Sequence, residues 1–251
     1  MNNLSIITVV RNDFNGIRKT YNSIINLLNH GAKWIVIDGG DDDFTSEWFT
    51  HKYEYNIKYI RDDDSGIYDA MNKGLELADN NDYLWFLNSG DQNILDYDLV
   101  NSNLLQAKDN DFDIIKFDCT VNGTIRREII NKKFLIFNSP NHQGIFVNKK
   151  LHNKFYTDLK LAADYANFVD IYFMNNPNIL YVNHSIVEYD LNGITAQQNQ
   201  KNTIRLERLK STYRCFKSTK NLFSAFIFLI QFIIYMPFFV FPNITLKRFK
   251  D

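Results

Sequence analysis

The segment DYLWFLNSGDQ, residues 82–92, joins an apolar run to a polar turn. Its first part, DYLWFL (82–87), is typical of a buried strand. The carboxylate of Asp91 follows, with the small Ser89 and the flexible Gly90 before it. A polar turn at the end of a buried strand indicates a ligand site at the edge of a sheet.

Strand and helix patterns alternate along the residues that precede this segment. Runs rich in β-branched residues predict strands at 4–10, 33–38 and 57–60. Apolar residues at helical spacing predict helices at 15–29 and 66–78. Such alternation is typical of right-handed crossovers and a mainly parallel sheet. We therefore predict an α/β fold with a Rossmann-like sheet flanked by helices.

The second half of the chain has a less regular pattern. We predict a strand at 112–121, a helix at 161–173 and one or two strands at 178–189. Residues 141–152 are interpreted as a turn, a strand and the start of a helix. The stretch around FTSEWF (44–49) is interpreted only as a polar connection.

Carboxylates follow three of the predicted parallel strands. Asp38 ends the second strand, Asp64 closes the acidic run after the third, and Asp91 follows the fourth. Ligands of such sheets bind beyond the carboxyl ends of the strands. Mg²⁺ and Mn²⁺ prefer oxygen ligands, and Mg²⁺ typically takes only one or two protein carboxylates beside phosphate and water. The sequence therefore predicts a divalent-cation and diphosphate site, with Asp91 as the metal ligand.

Two neighbours of Asp91 suit the same site. Gly90 would let the backbone come close to phosphate groups because it has no side chain. Asn88 could supply a neutral ligand or a hydrogen bond to a ribose.

The charge of the chain is unevenly distributed. The formal net charge is −1, yet nine Lys/Arg face two Asp/Glu from Arg205 onward, which leaves 19 basic and 27 acidic residues before it. A basic tail on an acidic body indicates contact with an anionic partner. The basic residues adjoin an apolar run instead of alternating with stacking aromatics, so we expect no nucleic-acid partner. Two distant cysteines and an N-terminus without a leader pattern favour a reducing compartment.

The tail divides into a basic amphipathic stretch, 204–220, and an apolar run, 222–242. The run is long enough to span a bilayer. Gln231 and Pro237 interrupt it, so a helix lying in the membrane interface fits as well as a span. Basic residues at both ends, which include Lys247, Arg248 and Lys250, suit an anionic leaflet.

This pattern predicts a membrane-associating C-terminal tail, residues 204–251, after a domain of residues 1–203.

Six segments carry a resemblance to a known family. They are LSIITVVRND (4–13), IVIDGG (35–40), DDDSGIYDAMNKG (62–74), LWFLNSGDQ (84–92), NHQGIF (141–146) and LAADYANF (161–168). In that order they resemble bacterial family 2 glycosyltransferases of the GT-A fold, over roughly residues 3–200. The resemblance implies transfer of a sugar from a nucleotide diphospho-sugar to an acceptor hydroxyl, usually with inversion and with Mn²⁺ or Mg²⁺.

The resemblance also implies a role for individual residues on the donor side. The residues implied are Thr8, Val10 and Asn12 at the base pocket, Asp38 at the base or ribose, and Asp64 and Lys73 facing the nucleotide. Asn88, Ser89, Gly90 and Asp91 occupy the place of the family's Asp-X-Asp element. Asp91 keeps the principal metal position, but Asn88 replaces the first acid, which makes a weak or substrate-assisted metal site an alternative.

The acceptor side is implied by two further segments. Asp164 falls where the family carries its general base. That base must take the acceptor proton on the face opposite the leaving diphosphate. His142 resembles an acceptor-side or phosphate-side element. The segment NGIT, 192–195, resembles a loop that closes over the donor.

The resulting hypothesis is an inverting, metal-dependent hexosyl- or N-acetylhexosaminyltransferase at the cytoplasmic face of a bacterial inner membrane. A UDP-sugar is the favoured donor, with guanosine and thymidine donors open. The acceptor would be a lipid-linked saccharide in O-antigen, capsule or exopolysaccharide synthesis.

Two alternatives stay open. A nucleotidyltransferase would need a Gly-rich basic loop after the first strand, which VVRNDFNG (9–16) does not supply convincingly. A non-catalytic, membrane-tethered sugar-nucleotide binder also stays an alternative, because Asn88 replaces the first acid of the Asp-X-Asp element.

Overall fold

A computed structural model describes residues 3–51, 56–189, 200–220 and 222–240. The strands in these residues are β1 (Leu4–Val10), β2 (Lys33–Asp38), β3 (Ile57–Arg61), β4 (Tyr83–Phe86), β5 (Gln92–Asn93), β6 (Ile114–Val121), β7 (Thr124–Arg126), β8 (Ile145–Asn148) and β9 (Ile179–Tyr189). The α-helices are α1 (Phe14–Asn29), α2 (Asp43–Thr50), α3 (Ile67–Leu77), α4 (Tyr97–Asp109), α5 (Lys132–Phe137), α6 (Ala163–Asn175), α7 (Lys201–Thr219) and α8 (Leu222–Val240).

The described strands form one sheet in the order β3-β2-β1-β4-β8-β6-β9-β5, and β7 pairs with β6. Strands β3, β2, β1 and β4 run parallel to one another. Strand β8 is antiparallel to both β4 and β6, whereas β9 is parallel to β6. The sheet confirms the predicted α/β fold.

The parallel strands are apolar because helices cover both faces of the sheet. Successive side chains of β1 point to opposite faces: Ile6 packs in the cluster that contains Ile17 of α1, and Ile7 in the cluster that contains Met71 of α3. Helix α3 approaches closely, since a Cβ on Gly74 would lie 2.5 Å from Cγ2 of Ile7. Helix α1 follows β1 and α3 follows β3 along the chain, so both helices begin at the edge where the parallel strands end.

Helices α2 and α4 are not part of the pattern predicted from sequence. Each begins at an aspartate whose side chain accepts a backbone N–H: Asp42 from Thr45 at 3.1 Å, and Asp96 from Leu99 at 2.9 Å. Their start signals are these local caps and not a strong apolar stripe, which explains why periodicity missed them.

Helix α7 packs against α6, and α8 packs against α7 and α5. The predicted boundary between 203 and 204 falls inside α7. The buried face of α7 is mainly polar, whereas Leu206 and Tyr213 are exposed. Its buried residues are Glu207, Arg208, Leu209, Ser211, Thr212 and Cys215. Glu207 and Arg208 are buried here because they bind backbone groups of the preceding residues, as described below.

Candidate active site

The turn that joins β4 to β5 is held by α1. Gly90 has φ +93°, a left-handed conformation that glycine adopts without strain. Its N–H donates to Oγ1 of Thr20 at 3.0 Å, and the same hydroxyl donates to the carbonyl of Asp91 at 2.9 Å. Thr20 is fully buried in α1. One side chain therefore sets the position of the turn that carries Asp91.

We expect Thr20→Val to lower the free energy of unfolding by about 1–3 kcal/mol, because it leaves polar backbone groups of the turn without a partner. Urea denaturation of Thr20→Val and of Thr20→Ser measures this. Serine keeps the hydroxyl, so an equal loss in both variants would contradict the role given to the hydroxyl.

Asp91 and Asn88 lie on the same turn, and each carries a side-chain oxygen atom that could bind a metal ion. Oδ2 of Asp91 accepts from Nε2 of Gln143 at 3.1 Å, and burial raises the pKa of the Asp91 carboxyl. Oδ1 of Asn88 is buried and has no hydrogen-bond partner among the described residues. A partly buried carboxylate on the same turn as an unsatisfied amide oxygen fits Mg²⁺, which typically takes only one or two protein carboxylates and completes its ligands with phosphate and water. No group of three His, Cys, Asp or Glu residues suited to a metal occurs in the part of the chain that the structure describes.

A second carboxylate lies across a short turn from Asp91. Residues His142–Gly144 form one turn of 3₁₀ helix before β8. Nδ1 of His142 lies 3.7 Å from Oδ2 of Asp164, and Nε2 of His142 lies 3.4 Å from Nδ2 of Asn88. The turn therefore touches Asp91 through Gln143 and Asp164 through His142.

Asp164 is placed to exchange a proton with a ligand. It lies in the first turn of α6, where the helix dipole favours a negative charge. The hydroxyl of Tyr68, at the start of α3, donates to Oδ1 at 3.3 Å. The side chains of Asp164 and His142 are 24% and 27% exposed, so an incoming hydroxyl could reach them.

Apolar residues surround the inner side of this pair. A cavity of about 30 Å³ extends inward from His142 and Asp164, and Phe86, Phe155 and Phe168 are among its lining residues. His152 also lines it, and burial lowers the pKa of that imidazole to about 4. His152 is therefore neutral near pH 7 and adds no charge to the lining of the cavity.

Several residues predicted for the donor side lie at the ends of β1, β2 and β3. Asp38 is fully buried, and its carboxylate accepts from the N–H of Gly40 at 2.8 Å and from the hydroxyl of Tyr59 at 2.7 Å. Burial and the Asp38 carboxylate raise the pKa of Tyr59. Oδ1 of Asn12 accepts from the N–H of Asp41 at 3.0 Å. Asp38 and Asn12 thus shape one loop beside the turn of Asp91.

The acidic loop after β3 adjoins this region. Asp64 lies over Gly39, where a Cβ would come within 1.9 Å of Oδ2 of Asp64. Oδ1 of Asp64 accepts from the N–H of Gly66 at 2.9 Å. Lys73 pairs with Asp62 at 2.6 Å, so its ammonium group is directed to the loop itself.

Thr8 and Val10 lie in the core beneath the strand ends. The hydroxyl of Thr8 donates to the carbonyl of Leu87 at 2.7 Å and accepts from Nε1 of Trp34 at 2.9 Å. Val10 is 5% exposed. Ser89 joins the donor-side loops to the Asp91 turn, since its hydroxyl donates to Oδ2 of Asp13 at 2.9 Å. The segment 192–195 lies outside the described residues.

Sequence reasoning missed Thr20, Tyr68 and Gln143. Tyr68 and Gln143 lie inside segments singled out above, where only other residues were chosen. Thr20 had no signal, because it contacts Asp91 across 71 positions of sequence.

Comparisons with known proteins give a family match and several similar folds. Residues 5–158 match the family model described as glycosyl transferase family 2. Two Mycobacterium tuberculosis proteins, MT1564 of strain CDC 1551 / Oshkosh and Rv1514c of strain ATCC 25618 / H37Rv, are 36% identical over 90 residues. Both are described as uncharacterized glycosyltransferases. The match covers 36% of this chain and 34% of each relative, about a third of their length.

Solved structures share the fold. The S. aureus TarS 1-349 structure with UDP-GlcNAc has a TM-score of 0.70 at 14% identity, covering 97% of this chain and 76% of that chain. TarS 1-349 has also been solved with UDP; there the TM-score is 0.66 at 15% identity, covering 97% and 75% of the two chains. The mannosyltransferase PcManGT of Pyrobaculum calidifontis, with GDP-Man and Mn²⁺, has a TM-score of 0.61 at 13% identity, covering 96% and 72%.

Proposed function

Because the chain belongs to glycosyl transferase family 2, we propose that it is an inverting glycosyltransferase that uses a nucleotide diphospho-sugar as donor. The observation that carries the proposal is the pair of carboxylates Asp91 and Asp164 on the two sides of the His142–Gly144 turn. Asp91 shares its turn with the unsatisfied amide oxygen of Asn88, and the side chain of Asp164 is 24% exposed. Such a pair would suit a leaving diphosphate near Asp91 and an incoming hydroxyl near Asp164.

Asp164 is the general base of the proposed reaction. It takes the proton of the acceptor hydroxyl as the oxygen attacks the anomeric carbon, which inverts that centre. The transition state has oxocarbenium character, by analogy with glycoside hydrolysis. Tyr68 and His142 hold the carboxylate of Asp164 from two sides.

Asp91 and Asn88 are the residues that would hold Mn²⁺ or Mg²⁺. When bound, the metal ion neutralises the charge that develops on the leaving diphosphate. Gln143 orients the carboxylate of Asp91 toward this task by donating to its other oxygen. The Mn²⁺ in the PcManGT structure supports the proposal of a metal.

A UDP-sugar is the favoured donor, and the transferred group would be a hexosyl or N-acetylhexosaminyl residue. The TarS structures with UDP and UDP-GlcNAc support this choice, while the GDP-Man of PcManGT keeps a guanosine donor open. The donor side would be the loops shaped by Asn12, Asp38 and Asp64.

The acceptor is proposed to be a lipid-linked saccharide at the cytoplasmic face of a bacterial inner membrane, in surface-polysaccharide synthesis. Helix α8 supports the membrane contact, since its residues 222–239 have a mean hydropathy of 2.2, sufficient in length and composition for a span. Core helices of soluble proteins meet the same criterion, but they are mostly buried, whereas 28% of this window is buried.

The burial pattern of α8 favours a helix that lies along the membrane surface. One face is buried along the whole helix, and the opposite face is apolar and exposed. The buried residues are Ser224, Ile227, Gln231, Tyr235 and Phe238, and the exposed ones are Leu222, Phe223, Phe226, Leu229, Phe232, Ile233, Met236 and Phe239. A helix held by one face against its own domain is suited to insert the other face into the interface.

We expect the double substitution Phe232→Gln and Ile233→Gln to weaken binding to phosphatidylcholine–phosphatidylglycerol vesicles by about tenfold or more, because burial of each such side chain contributes about 1.5–3 kcal/mol. Vesicle co-sedimentation measures it. The control is Phe44→Gln, an equally apolar residue that is 70% exposed on α2. Equal loss in both variants, or no loss in the double variant, would contradict the assignment.

The experiment that tests the proposed function is a transfer assay. The chain is incubated with Mn²⁺, bacterial lipid-linked saccharides and each of UDP-glucose, UDP-GlcNAc and GDP-mannose, labelled in the sugar. Label entering the lipid phase, with release of the nucleoside diphosphate, is the expected result. Binding of a donor without transfer or release would instead favour a sugar-nucleotide binder.

A further inference from the structure

The turn that leads into α6 has no cap from its own residues. Ala162 precedes the first residue of the helix, and no side chain near it caps the helix locally. Glu207 of α7 binds the turn before the helix instead, from 45 positions away. Its carboxylate accepts the N–H groups of Lys160, Leu161 and Ala162, at 2.9, 2.8 and 2.9 Å.

Glu207 is a strong anchor for this turn. It is only 5% exposed, so water does not compete for its oxygens. Hydrogen bonds to an ionised carboxylate are roughly twice as strong as neutral ones. Asp164 follows Ala162 by two residues, and its direction depends on where the first turn of α6 begins.

We propose that Glu207 is a positioning residue for Asp164, and that α7 thereby forms part of the active site's support. This inference rests on the proposed function, in which Asp164 is the base. Glu207 acts through the backbone of 160–162 and does not touch the substrate.

Other contacts from the tail hold the residue next to Asp164. The guanidinium carbon of Arg208 lies 4.4 Å from the ring centroid of Tyr165, and its nitrogens donate to the carbonyls of Phe137 at 3.1 Å and Asn138 at 2.9 Å. Gln231 of α8 donates to the hydroxyl of Tyr165 at 2.9 Å and accepts from the hydroxyl of Thr212 at 3.1 Å. Helices α7 and α8 are thus bonded to the start of α6 at several points.

The test is Glu207→Gln in the full chain. Glutamine has the same size, but it loses the charge and one acceptor oxygen. We expect faster amide exchange at residues 160–162, a changed ring resonance of His142 at fixed pH, and turnover lower by about 10- to 100-fold with the donor dissociation constant unchanged. If this variant does not fold, Glu207→Asp is measured in the same way. Aspartate keeps the charge, but its side chain is shorter by one methylene.

A double-mutant cycle with Asp164→Asn separates positioning from general destabilisation. If Glu207 acts through Asp164, Glu207→Gln changes the His142 resonance far less in the Asp164→Asn background. Asp96→Ala, which removes the cap of α4, is the control and leaves that resonance unchanged. An unchanged His142 resonance in Glu207→Gln, or an equal change in both backgrounds, would overturn the proposal.

The resonance does not depend on turnover, so the failure of this inference is distinct from the failure of the proposed function. A chain without transferase activity whose His142 resonance follows the cycle would contradict the function and retain the positioning. An active chain whose His142 resonance does not respond to Glu207→Gln would support the function and contradict the positioning.

Discussion

Asp164→Asn is expected to lower the turnover number by about 10²- to 10⁴-fold, the usual contribution of a positioned general base. Asparagine keeps the shape of the side chain and can still accept from Tyr68, but it cannot take the acceptor proton. The donor dissociation constant should stay near its wild-type value, because the donor is proposed to bind on the other side of the His142–Gly144 turn. Steady-state kinetics and calorimetry measure the two quantities separately.

The matched control for this substitution lies on the same helix. Asp170 of α6 is buried, and its Oδ2 accepts from the hydroxyl of Tyr156 at 2.8 Å, away from His142. Asp170→Asn makes the same chemical change without touching the proposed reaction. Full turnover in Asp164→Asn, or the same loss in both variants, would refute the assignment of the base.

Asp91→Asn is expected to have opposite effects on function and on stability. The variant loses a proposed metal ligand, so we expect turnover to fall by about 10²-fold or more, since a metal ion contributes several kcal/mol at such a transition state. Dependence of nucleotide binding on Mn²⁺ should disappear.

The stability effect follows from the raised pKa of Asp91, which burial causes. A group whose pKa is higher in the folded state contributes stability that is fully present below its unfolded pKa and is lost as the pH rises through the folded pKa. At pH 7, which lies above the usual pKa of a carboxyl, the raised pKa of Asp91 therefore costs stability in metal-free buffer. We expect Asp91→Asn to unfold at higher urea concentration than the wild type at pH 7, with the difference shrinking toward pH 4. A less stable variant at pH 7 would contradict this.

The regular elements of the fold were predicted well from local pattern. Strands β1 and β2 have the predicted bounds, and α3 differs from its prediction by one residue at each end. The two strands are continuous apolar runs because both faces of the sheet are covered, and α3 has its apolar residues at helical spacing. Helix α4 escaped prediction because its start depends on the cap at Asp96 and its apolar face is narrow.

The site was predictable only in part, because it depends on contacts between distant segments. Asp91 and Asn88 were predicted from their place after a buried strand, and His142 and Asp164 by resemblance; the structure brings all four together around one turn. Their implied roles stay predictions. Glu207 could not be found from sequence, since its importance comes from three backbone groups 45 to 47 positions away.

The tail shows the same limit. Gln231 was interpreted as an interruption of an apolar run, whereas in the structure it is fully buried and bonded to Tyr165. Hydropathy reports the composition of a helix, but it does not report which face meets the domain. Whether α8 spans a membrane or lies on it therefore could not be decided from the run itself.

Calorimetric titration of the full chain with UDP, GDP, dTDP and CMP, each with and without Mn²⁺, tests the central claim most directly. The expected result is that one nucleoside diphosphate, UDP in the first place, binds tightly only when Mn²⁺ is present, and that Asp91→Asn removes the dependence on metal. Absence of binding for every nucleotide, with and without Mn²⁺, would contradict the assignment of this edge of the sheet as a nucleotide-sugar site.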